Sequence, residues 1–119
     1  MEKLFKINLY FDFYGKLLTP KQYQIIDLYY LNDYSLSEVA DYLSITRQGV
    51  FDTLKRAEEK LDNYEKQLGL VDKFQSSQVA IKEIRSLAQD INKIGLSTNN
   101  KDIIIKSQEI VDTISKIII

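Results

Sequence analysis

The stretch LSEVADYLSITRQGVFDTL, residues 36–54, holds the side chains whose types and spacing best fit chemistry. Arg47 can pair with guanine O6 and N7, and Gln48 with adenine N6 and N7. Thr46 can meet a phosphate beside a helix N-terminus, where free N–H groups already favour anions. Gly49 permits close approach of the backbone, to DNA or to a neighbouring helix. Lys55 and Arg56 lie further along the same helix. With Lys21, Arg47 and Lys16 they form the local basic patch that phosphate neutralisation requires. This is the chemistry of noncovalent recognition of a polyanion.

Catalytic chemistry has little material to work with. The 119 residues include no Cys and no His. Zinc fingers, Cys or His nucleophiles, imidazole bases, thiol redox chemistry and disulfides are therefore excluded. No metal ligand set, nucleophile–base set or phosphate loop is present, so no catalytic residue, cofactor or metal is expected. Glu58 and Glu59 are adjacent. Adjacent helical residues diverge by about 100°, so they are expected on a solvated face and not as a catalytic pair.

Charge limits the mode of binding. Sixteen Lys and Arg face 17 Asp and Glu, a formal charge of −1. Residues 1–74 carry 10 basic and 12 acidic residues. Indiscriminate coating of nucleic acid is excluded. Binding is expected to be weak and salt-sensitive, or to depend on a dimer. No targeting segment and no run of ~20 apolar residues is found. A cytoplasmic protein without a membrane partner is the expectation.

To present that polar edge, a short helix must brace a longer one. A first aromatic-rich helix is predicted to stop near Gly15. Thr19-Pro20 opens a second, with Tyr23, Ile26, Leu28, Tyr30 and Leu31 as its apolar face. Ser35 and Glu38 have capping-box spacing and open a third. Ala40 is small enough for a helix crossing, and Val39, Leu43, Ile45, Val50 and Leu54 can lock the pair. Ser44 stands where many such turns place Gly; a left-handed backbone there would cost about 1 kcal/mol. Thr46 caps a fourth helix, Arg47 to about Leu68, with an inward stripe of Val50, Leu54, Ala57, Leu61 and Tyr64.

Beyond Gly69 the composition shifts. Gln75-Ser76-Ser77-Gln78 is a hinge candidate, followed by a helical run closed by Gly95 and a second after Ser97-Thr98-Asn99-Asn100. The fold class is all-α: a helix-turn-helix domain over residues 1–70, then a C-terminal helical hairpin over 71–119. An Ile-rich hairpin alone would leave apolar surface exposed. Packing back on the first domain would cover it; a homodimer of two hairpins, four helices in all, is the favoured alternative. It would place two recognition helices on one duplex, about 34 Å apart. Tyr10, Tyr14, Tyr23, Tyr30 and Tyr42 have helical spacing and are expected in the core.

Several segments together carry a family resemblance. Leu18-Thr19-Pro20-Lys21-Gln22, Tyr29-Tyr30-Leu31, the 36–54 stretch, and Lys55-Arg56-Ala57 with Leu61 resemble the last promoter-reading region of bacterial sigma factors (region 4). Lys3 to Gly15 and Arg47-Gln48-Gly49-Val50-Phe51-Asp52 make residues 1–74 resemble the YlxM (UPF0122) family of small helix-turn-helix proteins. The resemblance implies an all-helical fold. That family is usually encoded beside the signal recognition particle GTPase, which implies a role as a regulator or as a component of that targeting pathway. A DNA-binding transcriptional regulator is therefore the leading expectation. The alternative is a protein-interaction or RNA-binding accessory of the signal recognition particle, built on the same fold.

Overall fold

Side-chain caps set the helix starts in the computed structural model, which describes residues 2–117. Thr19 Oγ1 accepts from the Gln22 N–H at 3.2 Å, and Gln22 Oε1 accepts from the Thr19 N–H at 3.1 Å. Ser35 and Glu38 make the same reciprocal pair at 3.0 and 2.9 Å. Thr46 Oγ1 accepts from Gly49 N–H at 2.9 Å, and Asn100 Oδ1 from Ile103 N–H at 3.3 Å. Each bond satisfies an N–H that the helix itself leaves free. The helices are α1 (Lys3–Tyr14), α2 (Pro20–Ile26), α3 (Leu36–Leu43), α4 (Arg47–Leu68), α5 (Leu70–Ser97) and α6 (Lys101–Ser115). Among the described residues there is no strand. The fold is all-α, as the helical periodicity indicates.

The chain divides into two units, Met1–Val71 and Asp72–Ile119. In the first, α1, α2 and α3 all pack on α4. Ile7, Phe11 and Tyr14 meet Ile25 and Ile26, Val39 and Ala40, and the α4 stripe of Val50, Leu54, Ala57 and Leu61. Burying side chains of this size stabilises by ~1.5–3 kcal/mol each before entropy is counted. The Phe11 and Tyr23 rings lie 4.6 Å apart, centroid to centroid.

The end of α2 departs from the sequence pattern. Residues Asp27–Leu31 form a π-helical turn, closed by Asn32 N–H donating to the Asp27 carbonyl at 3.0 Å. The extra residue per turn rotates the register. Ile25 joins Ile26 in the core, while Leu31, expected on the apolar face, is exposed. Tyr23 and Tyr42 are exposed as well, and the Tyr42 ring stands edge-on to Tyr34 on the surface. Tyr14 is buried and Tyr10 and Tyr30 are half-buried.

Gly15 does not stop α1 by adopting a left-handed backbone. Its φ is −55°, and a 3₁₀ turn over Gly15–Leu17 follows directly. Gly69, with φ +62°, is the left-handed terminator. A residue with a Cβ would be strained there.

In the second unit α5 and α6 form a hairpin. Two expectations fail on α5. It runs through Gln75-Ser76-Ser77-Gln78 unbroken, because no Gly or Pro interrupts it and neither Ser nor Gln forbids a helix. Gly95 lies inside α5 and does not close it. A Cβ at Gly95 would sit 2.9 Å from side-chain atoms of Ile103 and Ile104 and 3.1 Å from Ile104 N. Gly95 is therefore the point of close approach between the two helices. The turn itself uses Asn99 at φ +49°. Thr98 Oγ1 donates to the Ile94 carbonyl at 2.7 Å. The buried positions of the hairpin are Ala88, Gly95, Ser107 and Ile114, with Asn92 Nδ2 donating to Ser107 Oγ at 3.0 Å.

Candidate nucleic-acid interface

The turn between α3 and α4 decides where the polar edge points. Ser44 adopts the left-handed conformation (φ 56°, ψ 44°), and Ile45 N–H donates to the Ala40 carbonyl at 3.1 Å. A serine tolerates this at a cost of about 1 kcal/mol. Val39 and Val50 are fully buried, and Ala40 nearly so, which fixes α3 against α4. The chain then re-enters a helix at Thr46, and the first turn of α4 is left projecting.

Thr46, Arg47 and Gln48 are exposed, and Gly49 is half-buried. Thr46 Oγ1 receives the Gly49 N–H, so its lone pair is occupied while its own proton remains free to donate. Gly49 has a local reason to lack a side chain, since a Cβ there would lie 3.0 Å from Thr46 Oγ1. Gln48 Nε2 donates to Asp52 Oδ1 at 2.9 Å, so part of its amide is engaged within the helix.

Lys55 and Arg56 are exposed two turns further on, with the Lys55 ammonium 5.7 Å from the Phe51 ring centroid. Lys21 is also exposed, but it belongs elsewhere. Its neighbour Gln22 accepts from Lys60 Nζ at 3.3 Å. Lys60 lies about 20 Å beyond Arg47 along α4 at the helical rise per residue. Thr46, Arg47, Gln48, Gly49, Lys55 and Arg56 thus sit on one helix and its cap, with Arg56 on the opposite side of the helix from Arg47, while the neighbours of Lys16 and Lys21 contact the far half of α4 at Tyr64 and Lys60.

The ion pairs sharpen the contrast. Lys3 pairs with Glu58 at 2.9 Å, Lys6 with Asp62 at 3.0 Å, and Lys106 with Glu109 at 3.4 Å. Among the described residues, Arg47, Lys55, Arg56 and Lys21 join no ion pair. The cations of the start of α4 are thus without a carboxylate partner among these residues, while those along α1 are held by carboxylates on α4. The bond to Asp62 keeps the Lys6 ammonium above the usual lysine pKa.

Sequence reasoning missed two residues here. Phe51 is 41 % exposed, although its neighbours Val50 and Leu54 are core. With Leu36, Arg47 and Gln48 it lines a notch of about 450 Å³ beside the start of α4. The signal was an aromatic residue one position off the inward stripe. Glu58 is the second. It is 8 % exposed, accepting from the Tyr30 hydroxyl at 2.5 Å as well as pairing with Lys3. The solvated-face expectation holds for Glu59 and fails for Glu58, whose side chain is recruited by the half-buried Tyr30.

A model of the family described as "Putative helix-turn-helix protein, YlxM / p13 like" matches residues 1–103. The chain belongs to the YlxM family. A UPF0122 protein of Acetivibrio thermocellus is 41% identical over 114 residues, covering 96% of this chain and 97% of that protein. One of Bacillus pumilus is 40% identical over 112 residues, 94% of this chain and 98% of that one. A third, of Caldanaerobacter subterraneus, is 54% identical over 79 residues, 66% and 68% of the two chains. The YlxM match reaches beyond residue 74, where the particular sequence segments end, through α5 and into α6.

For this YlxM-family chain the helix-turn-helix is supported from behind by polar contacts. Burial, aided by the bond to Glu58, pushes the Tyr30 hydroxyl well above the usual tyrosine range. Near the end of α4, Glu65 Oε1 accepts from the Tyr14 hydroxyl at 2.5 Å and from Val71 N–H at 3.1 Å. Tyr14 in turn accepts the Leu70 N–H at 3.1 Å. These bonds satisfy the first N–H groups of α5, which has no preceding Ser, Thr, Asp or Asn to do so. Among the described residues no helix is long and apolar enough to cross a membrane.

Proposed function

We propose that this protein is a non-enzymatic DNA-binding transcriptional regulator of the bacterial cytoplasm that docks the start of α4 in the major groove. The carrying observation is the exposed start of α4 behind a left-handed Ser44 turn, with Thr46, Arg47 and Gln48 in its first turn and Lys55 and Arg56, which join no ion pair among the described residues, two turns on. Arg47 is the base reader, and Lys55 and Arg56 neutralise phosphate. The Thr46 hydroxyl donates to a phosphate at the helix N-terminus. Lys21 meets a separate phosphate of the DNA backbone. Affinity rests on a few contacts, because the rest of the domain is not basic.

The reading includes a homodimer. Ile84, Leu87, Ile91 and Ile94 are all exposed on α5 at 3-4-3 spacing, the spacing of a coiled-coil seam. Ile84 and Ile91 border Ala88 and Gly95, which are buried within the hairpin, and Leu87 and Ile94 lie further round the helix on the same side. A second copy supplies a matching seam and gives a four-helix arrangement. Sedimentation equilibrium is expected to show a dimer that Ile91→Lys with Ile94→Lys dissociates.

A salt-titrated gel shift on the DNA flanking the protein's own operon tests the function. Binding is expected to weaken steeply with salt and to be lost in an Arg47→Ala plus Lys55→Ala variant that melts like the wild type. Binding confined to the RNA or the GTPase of the signal recognition particle would move the function to an accessory role in protein targeting.

A further inference from the structure

The exposed aromatic at the edge of α4 carries a more specific assignment. Phe51 stands one turn beyond Arg47, so the two share a face of the helix. Its ring is 41 % exposed, although the core is closed by Val50 and Leu54 on either side of it. Leu36, at the first position of α3, forms the other apolar wall of the notch. Arg47 and Gln48 line its rim, and Lys55 holds its ammonium 5.7 Å from the Phe51 ring. The result is an open recess with an apolar wall of Phe51 and Leu36 and the cations Arg47 and Lys55 beside it, on the proposed DNA-facing surface.

The major groove offers one apolar group to such a recess. Guanine, cytosine and adenine present only donors and acceptors there, whereas thymine adds its C5 methyl. Gln48 has one amide N–H held by Asp52, while Arg47 and the exposed Phe51 ring make no hydrogen bond or ion pair among the described residues. We propose that Phe51, with Leu36 behind it, is a specificity-determining residue that packs on the C5 methyl of a thymine next to the base contacted by Arg47. The cationic border suits this occupant, since Arg47 takes the neighbouring base edge and Lys55 the phosphate beside that thymine. The assignment rests on the DNA-binding reading above and deepens it.

Thymine and uracil differ at that methyl alone, which isolates the contact. Duplexes enriched by the wild-type protein from a randomised pool are resynthesised with uracil replacing thymine one position at a time. Each is titrated by fluorescence anisotropy at fixed salt. Wild type is expected to bind about fourfold more weakly when one particular thymine loses its methyl, the effect of one buried CH₂-sized group. Phe51→Ala is expected to bind the thymine and uracil duplexes equally. Arg47→Ala weakens both while keeping their ratio. Equal wild-type affinity for every thymine and uracil pair overturns the assignment and leaves DNA binding standing. Discrimination that survives in Phe51→Ala also overturns it. Failure to enrich any duplex removes the DNA-binding reading, and the assignment falls with it. The wild-type comparison needs no variant, so poor folding of Phe51→Ala cannot shield the idea.

Discussion

The two units use the same helical geometry to opposite ends. In residues 2–71 the inward positions are large. Tyr14, Ile25, Ile26 and Leu61 are fully buried around α4. In the hairpin three of the four buried positions are small, Ala88, Gly95 and Ser107 beside Ile114, and the large residues Val79, Leu87, Ile94 and Ile105 are exposed. A core of large side chains supplies a unit with its own stability. A hairpin closed by small residues brings its backbones together but leaves its apolar area to be covered by something else. The first unit closes a core of large side chains, and the second leaves most of its large apolar residues at the surface.

The largest break in that comparison is expected from Leu61→Ala. It removes a fully buried side chain. The cost is expected at about 3 kcal/mol in urea-induced unfolding. Ile105→Ala, at an exposed position of the hairpin, is expected to cost under about 0.5 kcal/mol at protein concentrations where the chain is monomeric. Equal costs would contradict the contrast.

Gly95→Ala comes next. Its Cβ would press on Ile103, Ile104 and the Ile104 N–H. Overpacking of this kind costs about 1–3 kcal/mol, against which a helical Ala recovers under about 1 kcal/mol. Hydrogen exchange is expected to quicken in α5 and α6 while the amides of α4 around Leu54 keep their protection. Loss of protection in both units alike would show that they do not unfold separately.

Tyr30→Phe tests the polar support behind the recognition helix. At neutral pH the lost bond to Glu58 is expected to cost roughly 1 kcal/mol. The Tyr30 hydroxyl has a raised pKa in the folded protein. Its contribution is therefore complete below the unfolded tyrosine value of about 10. It declines as pH rises from there toward the folded value. Melting temperatures between pH 9 and 12 are expected to fall less steeply in Tyr30→Phe than in wild type. Parallel slopes would assign the alkaline loss to other groups.

The smallest effect on stability is expected from Arg47→Ala, under about 0.5 kcal/mol, because the side chain is exposed and joins no ion pair. Its effect on DNA affinity is expected to be large. A destabilised Arg47→Ala would mean that the edge serves the fold, and the first unit would no longer separate support from recognition.

Much of the architecture is local, and local features are legible in a sequence. Thr19-Pro20, Ser35 with Glu38, and Thr46 each start a helix because a cap joins residues three apart, whatever else the chain does. The α4 stripe of Val50, Leu54, Ala57 and Leu61 follows from 3.6 residues per turn. The left-handed Ser44 was foreseeable from its place between two capped helices.

What the sequence left open depends on neighbours distant along the chain. The π turn after Ile26 changes the register that the pattern assumes and leaves Leu31 exposed, where the segment packs on α1 and α3. Glu58 is buried, contrary to its charge, because Tyr30, 28 residues away, supplies a hydroxyl. Gly95 reads as a helix end until Ile103 and Ile104 fold back against it. Lys21 reads as part of the basic patch until Gln22 and Lys60 place it well down α4. Caps and periodicity act through bonds within one or two turns, so the amino-acid order alone determined them. Burial, pairing and the exposure of Phe51 are set by which helices meet, and only the tertiary structure decided those.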